Sequence, residues 1–356
     1  MGDGDDPRGR WRLYGALKRS NVKACIKAIE YHLPEKILTN AQLTAEFPEW
    51  TPERIEKKLG ITERHIAAPD ECASDLGVAA GQKLFASGVC SPGDIDYVLF
   101  CTQSPDYYLP TSACLIQHRL GLPKDSGALD YNLGCSGFVY GLGMAKGLVE
   151  TGQARRVLLI TAETYSKHMH PQDKGVRTLF GDGATATLIT GAEDAEAGNL
   201  GPFVYGTDGS GGGTLTVPAG GMRSRDGGAH MTEGRPFPDR FLFMDGGAIF
   251  NFTLKAVPES LKALLVRANL DMEHVDLFVF HQANAFMLDF LQKKCDIPTA
   301  KFYLSMKLFG NTVSSTIPIA LHHARKEGRL HPGSKVVVIG FGVGLSWASG
   351  LIEWAT

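Results

Sequence analysis

Three residues of this 356-residue chain carry side chains whose neighbours make them chemically usable: Cys135, His281 and Asn311. Cys135 lies in Asp130-Tyr131-Asn132-Leu133-Gly134-Cys135-Ser136-Gly137-Phe138, where an apolar run meets small residues and then a helical pattern. A thiol in the first turn of a helix faces N–H groups without intrahelical partners and the positive end of the helix dipole. Both favour the thiolate, which is the nucleophile. The flanking glycines allow a sharp turn and a close substrate approach. A buried cysteine is by default a small hydrophobe; the Gly-Cys-Ser-Gly turn sets this one apart. His281 follows the apolar Val279-Phe280 and opens the polar Gln282-Ala283-Asn284. Asn311 lies in Phe309-Gly310-Asn311-Thr312-Val313. Alone, the histidine reads as a satisfied core residue and the asparagine as a helix N-cap.

The elements around these residues change that reading. Val22 to Ile29 alternates like a strand, and a helix is expected over Asn40 to Phe47 with Asn40 as its N-cap. Buried strands are expected at Ile95 to Cys101, Val157 to Thr161, Ala184 to Thr190, Leu277 to Phe280 and Val336 to Gly340. Amphipathic stretches such as Gly137 to Thr151 and Ala256 to Ala268 lie between them. This alternation predicts an α/β architecture. Gly206 to Pro238 is rich in glycine and polar residues and reads as a long loop near a site or a subunit contact.

The chain also resembles itself. Ile95-Asp96-Tyr97-Val98-Leu99-Phe100-Cys101 is matched 180 residues later by Val275-Asp276-Leu277-Phe278-Val279-Phe280-His281. Gly134-Cys135-Ser136 is matched 176 residues later by Gly310-Asn311-Thr312, and the strand at Arg156 is matched 179 residues later at Lys335. Three landmarks in one order at nearly one offset predict two copies of one α/β unit. Cys135 and Asn311 then occupy equivalent helix starts, and His281 ends the strand equivalent to that of Cys101. The copies bring the three residues towards one seam, where sites commonly form. The expected divisions are an extension over residues 1–21, a first half over 22–195 carrying the cysteine, and a second half over 196–356 carrying the histidine and asparagine.

Composition sets the outer bounds. Hydrophobic residues make up 44% and charged residues 21%, as in ordinary globular chains, and a net charge of -2 argues against a broad nucleic-acid surface. The basic pair Arg155-Arg156 precedes a strand and reads as solvating its edge. There are seven cysteines, none in C-x-x-C spacing, which points away from a disulfide framework or zinc site and towards a reducing compartment. No apolar run has the length of a membrane span, and the polar N-terminus lacks a signal-peptide core. The expectation is a cytoplasmic protein.

Residues 22–356 resemble β-ketoacyl-acyl-carrier-protein synthase III and its relatives in the thiolase superfamily. The resemblance rests on Gly60-Ile61-Thr62-Glu63-Arg64-His65-Ile66-Ala67-Ala68, Gly134-Cys135-Ser136-Gly137-Phe138, Phe180-Gly181-Asp182-Gly183-Ala184, His281-Gln282-Ala283-Asn284, Gly310-Asn311-Thr312 and Gly340-Phe341-Gly342-Val343-Gly344. It implies a five-layered αβαβα fold of two duplicated halves. It implies a ping-pong mechanism in which Cys135 is acylated by a thioester, with the N–H groups of Cys135 and Val343 as oxyanion hole. A malonyl thioester then loses CO₂ while His281 and Asn311 donate hydrogen bonds to the enolate oxygen. The carbanion attacks the acyl-cysteine. Implied substrate contacts are Trp50, Arg54, Leu109, Lys174, Phe286 and Phe341. No permanently bound cofactor is implied; coenzyme A or phosphopantetheine thioesters are substrates, malonyl-carrier protein is a partner, and the assembly is a homodimer.

Four positions depart from the family pattern. Phe286 stands where an arginine usually helps to hold carrier protein or cofactor phosphates, and Lys174 keeps a positive charge where arginine is usual, without its bidentate fork. The segment Trp50 to Lys58 is two residues longer than usual, which shifts Trp50 and Arg54 relative to the cofactor-stacking positions. Leu109 replaces the phenylalanine that reaches the partner's acyl pocket, and Val343 replaces a glycine. These differences leave open a housekeeping fatty-acid role or a specialised one in polyketide, surface-glycan or secondary metabolism.

Weaker signals point elsewhere. Gly340 to Gly344 has the wrong spacing for a dinucleotide loop, and the chain ends too soon for the βαβ unit. His168 and His170 lack a third metal ligand nearby, and Gly209 to Gly213 lacks the Lys-Ser/Thr of a P-loop. Two other functions stay open: an acyltransferase passing the acyl group to an alcohol or amine without decarboxylation, and a non-catalytic partner subunit.

Overall fold

A computed structural model describes residues 22–192, 198–225 and 231–355. The expected extension over 1–21 and the expected junction at 195/196 lie outside the described residues. In chain order the first half runs β1 (Lys23–His32), β2 (Lys36–Thr39), α1 (Asn40–Glu46), α2 (Pro52–Leu59), β3 (Glu63–Ile66), α3 (Ala73–Ala86), β4 (Tyr97–Cys101), α4 (Ser112–Arg119), β5 (Gly127–Tyr131), α5 (Gly137–Glu150), β6 (Arg156–Glu163), α6 (Lys174–Arg177) and β7 (Gly183–Ala192). The second runs β8 (Asn199–Thr207), β9 (Leu215–Thr216), β10 (Phe243–Met244), α7 (Gly246–Ala268), β11 (Leu277–Phe280), α8 (Ala285–Lys294), α9 (Thr316–Lys326), β12 (Lys335–Gly342) and β13 (Ser346–Glu353).

Nine strands form two large sheets of one topology, ordered β5-β4-β6-β7-β1 and β11-β12-β13-β8, and the others pair in two short ribbons, β2-β3 and β9-β10. β4 pairs in parallel with β6 as β11 does with β12, and the next two pairings of each sheet are antiparallel. The place of β5 is taken in the second sheet by a single bridge between Phe278 and Phe302. Even the polar detail recurs. The Asp96 carboxylate accepts the N–H groups of Arg155 and Arg156 at 2.8 and 2.9 Å, and that of Asp276 accepts Lys335 N–H at 2.7 Å. The Arg155-Arg156 pair is therefore anchored through its backbone, and the Arg156 guanidinium pairs with Asp94 at 3.0 Å.

Five layers result. α3 and α4 cover the outer face of the first sheet, α5 and α9 lie between the sheets, and α7 and α8 cover the far face of the second. The central strands β4, β6, β11 and β12 are buried on both faces, which is why they read as continuous apolar runs. Alternate residues still choose different cores. Leu159 faces α5 while Leu158 and Ile160 face α3; Val279 and Val338 face the middle helices while Phe280 and Ile339 face α7. Among the described residues no helix is long and apolar enough to cross a membrane, and all seven cysteines are unpaired.

Two expectations change. Asn40 does not cap α1. Thr39 does, in a reciprocal box with Gln42: Thr39 Oγ1 accepts Gln42 N–H at 3.3 Å and Gln42 Oε1 accepts Thr39 N–H at 2.8 Å. Asn40 turns inward, donates to the Ile61 carbonyl at 2.8 Å and accepts both Arg64 guanidinium nitrogens at 3.0 Å. The helix expected over Ala256 to Ala268 begins at Gly246, because the Asp245 carboxylate accepts Ala248 N–H at 2.9 Å and offsets the low propensity of two glycines.

Candidate active site

Cys135 lies in the turn that enters α5 and is buried, 6% exposed. The end of β12, from the other half, runs directly against it. A Cβ on Gly340 would stand 2.6 Å from the Cys135 carbonyl oxygen, and one on Gly342 would stand 3.0 Å from Cys135 Sγ. Glycine is required at 340 because two backbones meet there, and at 342 it leaves the Cys135 side chain its room. Val343 follows, with its side chain against Gly134. Among the described residues no backbone carbonyl accepts the N–H of Cys135 or of Val343.

Asn311 is clamped by the first half. Its N–H donates to Leu179 at 2.9 Å and its carbonyl accepts Gly181 N–H at 3.0 Å. Gly310 turns the chain with φ of +66°, and Val313, a β-branched residue, sits at +54°. That backbone is costly for valine and holds only because its surroundings impose it. The result orients the carboxamide: Asn311 Oδ1 accepts Val313 N–H at 2.9 Å, leaving Nδ2 facing Ala283 O and His281 Nε2, each at 3.4 Å.

His281 continues β11, and its N–H donates to the Ile339 carbonyl of β12 at 2.8 Å. Its Nδ1 meets the Thr316 hydroxyl at 2.7 Å, and Phe341 packs edge-on with ring centres 5.5 Å apart. Burial lowers its pKa to about 3, so the imidazole is neutral at ordinary pH.

The ionisation state of Cys135 departs from expectation. The helix start was expected to favour the thiolate. Burial, with a smaller push from Glu163, instead raises the Cys135 thiol to about 12. Desolvation outweighs the dipole when the group is enclosed, so the resting group is the thiol. Glu163 is itself buried and raised to about 8, although Gln103 N–H, Ser104 Oγ and Ser314 Oγ all donate to it.

The expected substrate contacts divide. Trp50 and Lys174 line one cavity of about 480 Å³ together with Phe237, Met244 and Asn284, three residues beyond His281. Arg54 lies on the Trp50 ring at 5.3 Å, and Lys174 pairs with Glu49 at 2.6 Å. Three others lie outside that cavity. Leu109 is 80% exposed on a loop. Phe286 is half exposed at the start of α8, stacked with Phe250 and Phe290 at 5.8 and 5.0 Å. Phe341 is 2% exposed, so it supports the imidazole instead of lining the cavity. His170 stacks on Phe237 and His168 is half-buried, edge-on to Tyr165, so packing accounts for both. Sequence reasoning missed Thr316, Glu163 and the contact role of Gly340 and Gly342. Glycine at alternate positions of a strand was a usable sign of close approach; Thr316 had no local signal.

Residues 129–209 match the family model described as 3-oxoacyl-[acyl-carrier-protein (ACP)] synthase III, and residues 265–354 match that of its C-terminal part. A β-ketoacyl-[acyl-carrier-protein] synthase III of Caldanaerobacter subterraneus is 37% identical, with 94% of this chain and 98% of that protein covered. The chain belongs to the 3-oxoacyl-[acyl-carrier-protein] synthase III family. Among solved structures, a synthase III of 52% identity superposes with a TM-score of 0.90, covering 93% of this chain and all of the other. A synthase from Burkholderia xenovorans is 35% identical with a TM-score of 0.87, covering 95% and 97%. The fold is thus the thiolase-like fold of the synthase III family, with Cys135, His281 and Asn311 at its seam.

Proposed function

We propose that this protein catalyses a decarboxylative Claisen condensation, with Cys135 as acyl carrier and His281 and Asn311 as donors to the enolate. Cys135 sulfur bonds to the acyl carbon of a thioester, the N–H groups of Cys135 and Val343 hold the oxyanion, and the donor thiol leaves with the proton. The malonyl C–CO₂ bond then breaks, and its electron pair places negative charge on the thioester oxygen. The resulting carbon nucleophile bonds to the acyl carbon, the C–S bond to Cys135 breaks, and the sulfur regains a proton.

One observation carries the reading: two uncharged side-chain nitrogens, Asn311 Nδ2 and His281 Nε2, stand 3.4 Å apart on the half opposite Cys135, so that one oxygen between them takes a hydrogen bond from each when Nε2 carries the imidazole hydrogen. Such fixed donors are worth most in an enclosed site. The chemistry needs no resident cofactor. The cavity at Trp50 and Lys174 fits a phosphopantetheine arm of coenzyme A or of a carrier protein. Exposed Leu129 on the edge strand β5 and exposed Tyr107 to Leu109 fit a homodimer in which Leu109 meets the partner's acyl group. Phe286 in place of a basic residue favours a specialised pathway. Unpaired cysteines fit the cytoplasm.

The test is intact mass after mixing with acyl-CoA, followed by CO₂ release from malonyl-carrier protein. Acyl mass on Cys135 and stoichiometric CO₂ are expected. Cys135→Ala gaining the same mass would overturn the nucleophile assignment. Acyl transfer to an alcohol or amine without CO₂ would leave an acyltransferase, and no acylation at all a non-catalytic partner.

A further inference from the structure

We propose that Thr316 is a positioning residue that keeps the hydrogen of His281 on Nε2, so that the imidazole donates to the reacting oxygen instead of accepting from it. This rests on the condensing reading above. A neutral imidazole has one N–H, and its other nitrogen accepts. For His281 to donate beside Asn311, Nε2 must hold the hydrogen and Nδ1 must find a donor.

The Thr316 hydroxyl meets Nδ1 at 2.7 Å, and the Val313 carbonyl lies 3.1 Å from that hydroxyl, beside the ring. A carbonyl only accepts. Paired with Nδ1 it draws the hydrogen there and leaves Nε2 bare, turned towards the Asn311 N–H that lies 3.4 Å away. The hydroxyl alone can donate to Nδ1. Its single hydrogen has two takers, Nδ1 at 2.7 Å and the Val313 carbonyl at 3.1 Å, and the shorter contact is to the ring. Thr316 is 4% exposed and begins α9, so solvent does not compete and the hydroxyl is fixed on the helix. The strained Val313 turn thus surrounds one ring with a hydroxyl, a carbonyl and a carboxamide, and the hydroxyl decides the tautomer.

Thr316→Val removes the hydroxyl and keeps the shape; Thr316→Ser keeps the hydroxyl. In Thr316→Val, CO₂ release from malonyl thioester is expected to fall about 10²-fold, the loss typical of one missing oxyanion donor. Acylation of Cys135 should persist. Nitrogen-15 NMR of histidine-labelled enzyme, assigned with His281→Ala, should show hydrogen on Nε2 in the starting enzyme and on Nδ1 in Thr316→Val. Thr316→Ser should restore both readouts. Nε2–H retained in Thr316→Val, undiminished decarboxylation, or equal loss of both half-reactions with no rescue by serine would each overturn the assignment. If the unaltered enzyme neither acylates nor releases CO₂, the condensing reading fails instead, and the NMR result still judges Thr316.

Discussion

In the first half, β4 ends in Cys101 and the turn into α5 carries Cys135; in the second, β11 runs out into His281 and the turn before α9 carries Asn311. The slots are equivalent and their contents differ. Cys101 is filler. It donates to the Leu133 carbonyl at 3.0 Å, burial pushes its thiol well up, and a Cβ on Gly137 would stand 2.3 Å from its sulfur. The helix start is pressed onto the strand end. In the second half the residue matching Gly137 is Val313, whose left-handed backbone leaves the helix one short turn later. That opens room for an imidazole and the Thr316 hydroxyl. A scaffold position is thus inert or chemical according to how closely the next helix lies upon it.

The largest test of this contrast is between the two buried cysteines. Cys135→Ala should abolish the acyl-enzyme in intact mass. Cys101→Ala should keep it and lose about 1–2 kcal/mol of stability to the cavity, read by denaturant unfolding. A Cys101→Ala enzyme that no longer acylates would break the comparison. Next, His281→Ala and Asn311→Ala should each slow decarboxylation by about 10²–10³ while Cys135 still acylates. The pH profile of decarboxylation should show no His281 limb near 6.5, because burial keeps this ring neutral down to about 3.

The seam itself is tested by glycine substitutions. Gly340→Ala meets backbone atoms that cannot step aside and should cost about 1–3 kcal/mol. Gly342→Ala presses on the Cys135 side chain and should slow acylation about tenfold or more, with a smaller change in stability. Equal effects on both properties in both variants would mean that the contacts are only structural.

The smallest effect concerns Glu163, which ties β6 to Ser314 in the turn of the other half. Its folded pKa of about 8 lies above the ordinary 4.5. Between those values the folded state binds more protons than the unfolded one, so stability falls as pH rises through the window. The unaltered protein should lose melting temperature from pH 5 to 9 more steeply than Glu163→Gln. Parallel curves would show that Glu163 is ionised throughout.

Much of this was legible in the sequence. The β4 and β11 strands could be matched residue by residue because both are buried on two faces and cannot vary freely. Asp96 and Asp276 keep the same backbone bonds at the start of those strands. Cys135, His281 and Asn311 were found through the repeat, since each alone had a plainer explanation. Other features were hidden. Thr39 outcompeted Asn40 as a cap because Gln42 completes a reciprocal pair. Asp245 started α7 ten residues before the expected helix, through two glycines of low helix propensity.

Residue types and their repeat determined the architecture, the seam and the three candidate side chains, because hydrophobic period and turn chemistry are local quantities. The state of those side chains was decided only by the tertiary structure. Burial raises the thiol that the helix start alone would lower, and a hydroxyl five residues beyond Asn311 meets a ring thirty-five residues before it. Protonation and tautomer depend on every group within a few ångströms, and those neighbours come from both halves of the chain.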